Sequence, residues 1–309
     1  MKVVFFGSGA FGLPTLAALT SQTKVVQVVT SPDRPQGRGL QPAASRVKQW
    51  ALEHSLPVTE LARPGLDRFI SEIPRTQADV FVVIAFGIIL PQPLLDIPKT
   101  AALNVHASLL PAYRGPAPIQ WALANGETET GVSVIRMVAK LDAGDILTQR
   151  RLLIADDDDS RTLHEKLAVL GAAALTDGLE RLRQGQAVFI PQDERWATNA
   201  PKIKKEDGRV NWDADAPRIV NRVRAFAGWP GAYCFVKGKR LLLLSVRAEK
   251  GDDAAAVGSV VHASDQEGLV VAAKKDRVRL LSVQLEGRQA MIASEFLKGF
   301  PLGPGDRLE

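Results

Sequence analysis

Short apolar segments alternate with segments of helical periodicity over the first half of the chain. The apolar segments predict strands at Lys2–Phe6, Lys24–Val29, Asp79–Ala85, Ala101–Val105 and Gly131–Val138. The segments of helical periodicity predict helices at Leu13–Thr20, Ala43–His54, Leu66–Ile73, Pro118–Ala124 and, after an acidic turn, Arg161–Arg183. This alternation is typical of an α/β domain built on a largely parallel sheet, so we predict a Rossmann-like fold.

The pattern changes near residue 205, where prolines interrupt a stretch with few apolar runs. Beyond it the alternation predicts short strands at Tyr233–Val236, Arg240–Arg247, Val257–His262, Gly268–Ala273 and Val278–Leu285. About five strands in roughly a hundred residues indicate a small barrel of the OB type. We therefore predict two domains, a Rossmann-like domain at 1–205 and a C-terminal OB-like β-barrel domain at 206–309.

The composition excludes several classes of protein. With 46% hydrophobic and 24% charged residues over 309 positions, the chain is neither disordered nor fibrous. The longest apolar run, Val80 to Leu90, is too short for a membrane span. The single cysteine, Cys234, cannot form an intramolecular disulfide, and the four histidines have no metal-ligand spacing. We expect a monomeric cytoplasmic protein that has no metal site.

The excess of positive over negative charge lies in the last third of the chain. Residues 1–200 carry 20 Lys and Arg against 20 Asp and Glu, whereas residues 201–309 carry 19 against 14. A second basic segment, Arg34 to Lys48, contains four basic residues and no acidic one. Both features favour an acidic partner such as a nucleic acid, although a solvated basic surface has the same composition.

The first turn, Gly7 to Gly12, matches the G-x-G-x-x-G pattern of dinucleotide-binding domains. The second predicted strand ends in Thr30, Ser31 and Pro32, where such domains place an acid for the ribose hydroxyl. A nicotinamide-dependent oxidoreductase stays possible. A tight turn that needs glycines for packing explains the pattern as well.

Asn104 and His106 alternate on the predicted strand 101–105 and its end, so both side chains lie on one face at its carboxyl end. Asp142 follows in a later loop, within LDAGD. An amide, an imidazole and a carboxylate suit acyl transfer to an amine that the substrate supplies. Asn104 and His106 could donate hydrogen bonds to the developing oxyanion, and Asp142 could orient His106 and help remove the amine proton.

The run NVHASLLPAYRGPAPIQWAL, together with LDAGDIL, resembles the signature of the folate-dependent formyltransferases. The segments SPDRPQGRG, SRTLHEKL, KEDGRVNW and IVNRVRAFAGWPGAY extend the resemblance over essentially the whole chain. It is strongest to the members that act on methionyl-tRNA.

This resemblance implies a transfer of the formyl group of 10-formyltetrahydrofolate to the α-amino group of initiator methionyl-tRNA, in translation initiation. The implied catalytic residues are Asn104, His106 and Asp142. The implied folate-binding residues are Ser108, Leu109, Leu110 and Pro111. We expect tRNA contacts from the basic residues of the two regions above, at Arg34, Arg38, Arg46, Lys48, Lys204 and Lys205.

Other interpretations stay open from the sequence. Glycinamide ribonucleotide formyltransferases share the three polar residues but are shorter. Sugar-nucleotide formyltransferases and formyl-folate hydrolase domains fit the length, and the basic segment 34–48 argues against them. From other classes, a nicotinamide-dependent oxidoreductase and a non-catalytic RNA-binding protein remain alternatives.

For the segment 34–48 the sequence predicts a mobile loop that becomes ordered on tRNA. Pro35 and Pro42 should discourage regular structure there, and two glycines loosen the backbone.

Overall fold

The structure is a computed structural model and describes residues 1–36, 41–251, 255–264 and 268–309. Cα proximity divides the chain into two compact units. The first comprises Met1–Pro118, Glu129–Leu153 and His164–Ala200, and the second comprises Ile119–Thr128, Ile154–Leu163 and Pro201–Glu309. Two short stretches that precede residue 200 thus group with the C-terminal part, and the domain boundary expected at residue 205 stays a prediction.

The strands of the first unit are, in chain order, β1 (Lys2–Gly7), β2 (Lys24–Thr30), β3 (Arg34–Gln36), β4 (Gln41–Ala43), β5 (Val58–Glu60), β6 (Val80–Ile84), β7 (Ala101–His106), β8 (Glu129–Arg136) and β9 (Ile146–Leu153). A seven-stranded sheet has the order β5-β2-β1-β6-β7-β8-β9. Neighbouring strands are parallel from β5 to β7, and β8 and β9 continue the sheet in antiparallel pairing. This mixed sheet confirms the α/β prediction for the N-terminal part, and the two edge strands β5 and β9 are additions that the sequence pattern did not predict.

The helices are, in chain order, α1 (Leu13–Gln22), α2 (Arg46–Glu53), α3 (Leu66–Glu72), α4 (Gln92–Leu95), α5 (Pro118–Asn125), α6 (Ser160–Arg183), α7 (Ala216–Ala225) and α8 (Ala293–Gly299). α2 begins three residues later than predicted because the Ser45 side chain accepts a hydrogen bond from the backbone N–H of Lys48 and caps the helix. Across the part of the chain that the structure describes, no helix has the length and apolar character needed to cross a membrane.

Aromatic packing holds the central strands of the first unit together. The Phe6 ring on β1 contacts the rings of Phe69, Phe81 and Phe86, with centroids 6.0, 5.1 and 5.6 Å away. Phe6 and Phe81 are fully buried. Since Phe81 lies on β6, which pairs with β7, this cluster supports the strand that carries Asn104 and His106.

The glycine-rich turn after β1 is explained by packing. A Cβ atom on Gly7 would lie 2.9 Å from the carbonyl oxygen of Ile84 on the adjacent strand. At the end of β2 the hydroxyl of Thr30 lies 3.3 Å from that of Ser8 and 2.7 Å from that of Ser45. Hydroxyl groups that bond one another therefore occupy the strand end where dinucleotide-binding domains place an acid.

The basic segment contains regular structure, contrary to the expectation from its prolines. β3 and β4 form an antiparallel pair in which Pro35 lies opposite Pro42. Every second pair of residues in an antiparallel ladder exchanges no backbone hydrogen bonds, so two opposed prolines are compatible with the pairing. Residues 37–40 lie outside the described residues, and the prediction of a mobile loop falls partly on them.

The second unit contains an antiparallel sheet. Its strands are β10 (Ala232–Val236), β11 (Lys239–Glu249), β12 (Val260–Ser264), β13 (Gly268–Ala272), β14 (Arg277–Leu285) and β15 (Met291–Ile292). The order is β10-β11-β14-β13-β12, and β15 pairs with β14. An apolar core that includes Val223 of α7 and Phe296 of α8 packs against these strands.

The last residues of the chain connect the two edges of this sheet. Leu308 forms a β-bridge with Val236 of β10, and Arg307 forms one with Ser259, which precedes β12. Backbone hydrogen bonds between Phe235 and Glu309, both 2.8 Å long, extend the first bridge. These bridges link the edge strands as a small barrel requires, and the antiparallel sheet confirms the fold class predicted for the C-terminal part.

Candidate active site

β7 positions the first two side chains of the predicted site. Asn104 and His106 lie two residues apart on this strand and therefore on one face. β7 lies between β6 and β8, and His106 pairs with Ser133 in the antiparallel register of β8. The strand is almost wholly buried, and both of its edges are paired inside the sheet. This gives the two side chains a rigid base.

Asp142 lies in the connection between β8 and β9 and reaches the same two side chains. Its Oδ1 accepts a hydrogen bond from the Asn104 side-chain amide at 3.3 Å, and its Oδ2 lies 3.6 Å from Nδ1 of His106. The same Oδ2 accepts the backbone N–H of Gly115 at 2.8 Å. The structure thus brings together the three residues that the sequence identified, with the side chains of His106 and Asp142 only 7% and 8% exposed.

The other ring nitrogen of His106 is held by its own chain. Nε2 lies 2.9 Å from the carbonyl oxygen of Tyr113. A carbonyl oxygen only accepts hydrogen bonds, so Nε2 carries the hydrogen in this arrangement. Tyr113 and Asp142, which flank the ring, both have left-handed backbone conformations, with φ of 62° and 50°. Such conformations are uncommon outside glycine and concentrate at functional sites.

No residue other than glycine fits at position 115 unless the surrounding backbone moves. Its φ is 121°, and a Cβ atom would lie 2.6 Å from the carbonyl oxygen of Ala200. The close approach aligns the neighbouring residue, Arg114, with Asn199 in a parallel β-bridge. The backbone N–H of Gly115 is thereby fixed in the direction of Asp142.

The turn that contains the predicted folate-binding residues is internally hydrogen-bonded. The Ser108 hydroxyl donates to Ala112 O at 2.6 Å, and Leu110 donates its backbone N–H to the Ser133 hydroxyl at 3.0 Å. Leu110 O accepts the side-chain amide of Gln149 at 2.8 Å. These bonds shape the turn between His106 and Tyr113, and Ser108 and Leu110 are buried.

Sequence reasoning did not find a polar network beside the Asp142 loop. Arg114 is buried, and its guanidinium donates to both carboxylate oxygens of Glu194 and to the side-chain oxygen of Gln192. Lys140 Nζ also donates to Glu194, at 3.0 Å. Hydrogen bonds from Arg114 and Lys140 lower the pKa of the Glu194 carboxyl to about 2. The sequence signal was weak because Gln192 and Glu194 lie in an irregular segment far along the chain.

The basic residues predicted to contact tRNA have different environments. Arg34 lies in β3, and Arg38 lies outside the described residues. Arg46, Lys204 and Lys205 are exposed. Within the described part of the chain, Arg46, Lys204 and Lys205 form no hydrogen bond or ion pair with Asn104, His106 or Asp142.

Lys48 is engaged within the protein. Its ammonium group lies 2.8 Å from Asp33 and also pairs with Glu60, and its side chain is 18% exposed. Hydrogen bonds to Asp33 and then Glu60 raise the pKa of Lys48 above its usual value. Two carboxylates already neutralise this ammonium, which does not favour a further contact with phosphate.

The site described above consists of hydrogen-bond donors and a carboxylate. Among the residues that the structure describes, no group of three or more His, Cys, Asp or Glu side chains is placed to hold a metal ion. Donors near a buried carboxylate can stabilise negative charge that develops on a carbonyl oxygen.

Comparison with known proteins identifies the class. Residues 1–179 match the formyl transferase family, and residues 202–301 match the formyl transferase C-terminal domain. The chain belongs to the formyl transferase family and is a formyltransferase. This confirms the family predicted from the central motif.

Full-length relatives narrow the identification. The methionyl-tRNA formyltransferase of Geobacter sulfurreducens is 43% identical over 311 residues, which cover 100% of this chain and 96% of that protein. This similarity favours the methionyl-tRNA interpretation over the sugar-nucleotide and nicotinamide alternatives.

Two solved structures share the fold at lower identity. The methionyl-tRNA formyltransferase from Clostridium thermocellum has a TM-score of 0.55 at 16% identity, and covers 82% of this chain and 95% of its own. HypX from Aquifex aeolicus, solved in complex with tetrahydrofolic acid, has a TM-score of 0.63 at 20% identity over 98% of this chain and 48% of its own.

Proposed function

We propose that this formyltransferase transfers the formyl group of 10-formyltetrahydrofolate to the α-amino group of initiator methionyl-tRNA, for translation initiation in the cytoplasm. The observation that carries the proposal is the convergence of Asn104, His106 and Asp142 in a nearly buried site. Relatives named for this activity, similar over the whole chain, support the choice of acceptor.

The donor's place is inferred from the turn after β7. The Ser108 hydroxyl bonds within the turn, and the Leu110 backbone bonds to Ser133 and Gln149. Leu109 and Pro111, which are only partly buried, are therefore the residues with surface to offer a ligand. Apolar contacts of this kind suit the ring system of a folate. A structural neighbour that binds tetrahydrofolic acid supports the proposal that Ser108–Pro111 form part of the donor site.

When bound, the formyl-folate supplies the carbonyl group that the acceptor amine attacks. Asn104 and His106 then donate hydrogen bonds to the carbonyl oxygen as it gains negative charge. Before the substrate binds, the Tyr113 carbonyl accepts the Nε2 hydrogen of His106 and so keeps the ring in place. Donors that are already oriented and shielded from water stabilise such charge far more than water does.

Asp142 has two tasks in this proposal. Its carboxylate orients both donors, because one oxygen accepts from Asn104 and the other faces His106. The attacking amine must also lose a proton, and Asp142 with His106 is the pair placed to accept it. The same pair can return the proton to the folate nitrogen, which leaves as tetrahydrofolate when its bond to the formyl carbon breaks. The Gly115 N–H keeps the carboxylate in position.

In this proposal, basic residues outside the site of Asn104, His106 and Asp142 bind the tRNA. Arg34 and Arg38 precede α2, Arg46 is the first residue of that helix, and Lys204 and Lys205 lie at the start of the C-terminal region. Guanidinium and ammonium groups bind phosphates without regard to sequence, which suits binding of the tRNA backbone. Lys48 is left out because Asp33 and Glu60 already bind it.

An acceptor assay tests the proposal. With 10-formyltetrahydrofolate as donor, the purified protein should formylate methionyl-tRNA and leave an amino-sugar nucleotide unchanged. Formylation of the sugar nucleotide alone would overturn the assignment of the acceptor. Turnover that requires a nicotinamide, followed by its absorbance, would overturn the assignment of the reaction.

A further inference from the structure

Gln192 lies in an irregular segment, and its side-chain amide makes four hydrogen bonds to residues remote in the chain. Its Nε2 donates to the backbone carbonyl oxygens of Asp142 at 2.8 Å and of Gly144 at 2.7 Å. Its Oε1 accepts from Arg114, from Nε at 3.1 Å and from Nη2 at 2.8 Å. The amide therefore uses both donors and both acceptor positions that it has.

Arg114, one of the three residues that Gln192 binds, is itself fixed. Its side chain is only 7% exposed, and two more of its N–H groups bind Glu194 in a two-pronged pair. Its backbone N–H donates to Thr198 O at 2.8 Å. Glu194 also binds Lys140, which lies two residues before Asp142 in the same loop. The loop is thus held at Lys140 through Glu194 and at Asp142 and Gly144 through Gln192.

Asp142 is therefore held both at its backbone carbonyl and at its carboxylate. Gln192 holds its backbone carbonyl, and Gly115, the neighbour of Arg114, donates to its carboxylate. These two hydrogen bonds matter because Asp142 has a backbone φ of 50°, a left-handed conformation that an unrestrained loop would leave readily. Among the residues that the structure describes, Gln192 is the group that holds the Asp142 carbonyl.

We propose that Gln192 is a positioning residue, which fixes the loop of Asp142 so that its carboxylate meets His106 and Asn104. The inference rests on the proposed role of Asp142 in formyl transfer. Gln192 touches no substrate in this proposal and acts only through Asp142. A displacement of a reacting group by about 1 Å can lower a rate by about 100-fold, so small shifts of this loop are sufficient.

Two substitutions separate positioning from packing. Gln192→Glu keeps an acceptor for Arg114 but removes both donors and places a carboxylate against the Asp142 and Gly144 carbonyls. Gln192→Leu removes both functions. We expect both variants to lower kcat by about 10- to 100-fold with the KM values for donor and acceptor unchanged. Gln192→Glu should lose less stability towards urea than Gln192→Leu, because its bond with Arg114 is retained.

Gln184→Leu is the matched control. Gln184 also forms a side-chain amide bond, to Glu180 four residues earlier, but it is exposed and lies at the end of α6. It contacts neither the Asp142 loop nor Arg114. Wild-type kcat is expected for this variant.

The decisive measurement is a double-mutant cycle with Asp142→Asn. If Gln192 acts through Asp142, then Gln192→Glu should lower kcat no further once Asp142 is already Asn. Reductions in kcat that multiply in the double variant would overturn the inference, as would wild-type kcat in Gln192→Glu. Asp142→Asn alone with wild-type kcat would instead remove the proposed role of Asp142, so the two failures are distinguished by the single variants.

Discussion

Oδ2 of Asp142 lies 3.6 Å from Nδ1 of His106, at a point where both side chains are almost fully buried. The two residues come from β7 and from the β8–β9 connection, 36 positions apart in the chain, and neither loop nor strand would create the pair alone. The opposite ring nitrogen of His106 binds the Tyr113 carbonyl, so the ring is held from both sides. The chemistry of the site therefore depends on two loops that must be placed correctly against one strand.

Removing the imidazole should abolish most of the turnover. We expect His106→Ala to lower kcat by about 100- to 1,000-fold, the usual effect of losing one donor to a developing oxyanion. Formylation of methionyl-tRNA in single-turnover assays measures it. His54→Ala, which changes an exposed histidine stacked on Trp50, is the control and should keep full activity. A folded His106→Ala enzyme with near-normal turnover would refute the assignment.

Gly115→Ala should damage both stability and activity. The new Cβ would meet Ala200 O at 2.6 Å, and relief of this close approach must move the N–H that binds Asp142. Gly287→Ala is a matched control, because Gly287 also has a positive φ, of 72°, but open space around it. Gly287→Ala should lose about 1 kcal/mol of unfolding free energy to backbone strain, and Gly115→Ala should lose more because its Cβ also clashes with the Ala200 oxygen. Only Gly115→Ala should lower kcat as well, and equal kcat for the two variants would contradict the role of this N–H.

The low pKa of Glu194 predicts a pH-dependent contribution to stability. Its folded value of about 2 lies below the ordinary value of 4.5. The carboxylate therefore stabilises the fold fully above about pH 4.5, and this contribution is lost as the pH falls towards 2. Urea unfolding at several pH values should show the largest difference between wild type and Glu194→Gln above pH 4.5, and a shrinking difference below it.

Glu249 provides the comparison for that experiment. Hydrogen bonds from Arg279 and Arg247 lower its pKa to about 2 as well, but it lies on β11 in the second unit. Glu249→Gln should reproduce the pH dependence of stability and leave kcat unchanged. Glu194→Gln should in addition lower kcat, since Glu194 anchors Arg114 and Lys140 beside the Asp142 loop. Equal kcat in the two variants would show that the anchor is not needed for turnover.

The bridge formed by the end of the chain should stabilise the second unit. Leu308 is 2% exposed and packs in the core of that unit, so Leu308→Ala should cost about 2–5 kcal/mol of unfolding free energy. Leu281→Ala, at a position 41% exposed on β14, should change it by less than about 1 kcal/mol. Denaturant titration followed by tryptophan fluorescence measures both. Equal effects would mean that closure by residues 305–309 contributes little.

Phosphate binding by the C-terminal region should appear in the salt dependence of tRNA affinity. Replacing Lys204 and Lys205 by Gln should reduce the slope of log affinity against log salt by about 0.7–0.9 for each phosphate that is no longer neutralised. Lys48→Gln is the informative contrast, because its ammonium is already paired with Asp33 and Glu60 and its removal should leave the slope nearly unchanged. A wild-type slope in the Lys204 and Lys205 variant would place the tRNA-binding residues elsewhere.

The sequence by itself determined the class of fold and the three central side chains. Apolar runs and their spacing identified the buried parallel strands, and period 2 placed Asn104 and His106 on one face of β7. These are local properties, because the alternation of a strand depends only on neighbouring residues. The edge strand β9 escaped detection since only one end of it is well buried, and its exposed half has no clear apolar pattern.

Only the tertiary structure decided how the site is held. Gln192 and Asp142 are 50 residues apart, and no periodicity or spacing relates an amide in an irregular segment to the carbonyl that it binds. Lys48 likewise belongs to a basic segment of the sequence, and only the folded structure places Asp33 and Glu60 beside it. Hydrogen bonds and ion pairs depend on distances of a few ångströms between residues remote in the chain, and these distances exist only after the strands and loops have packed.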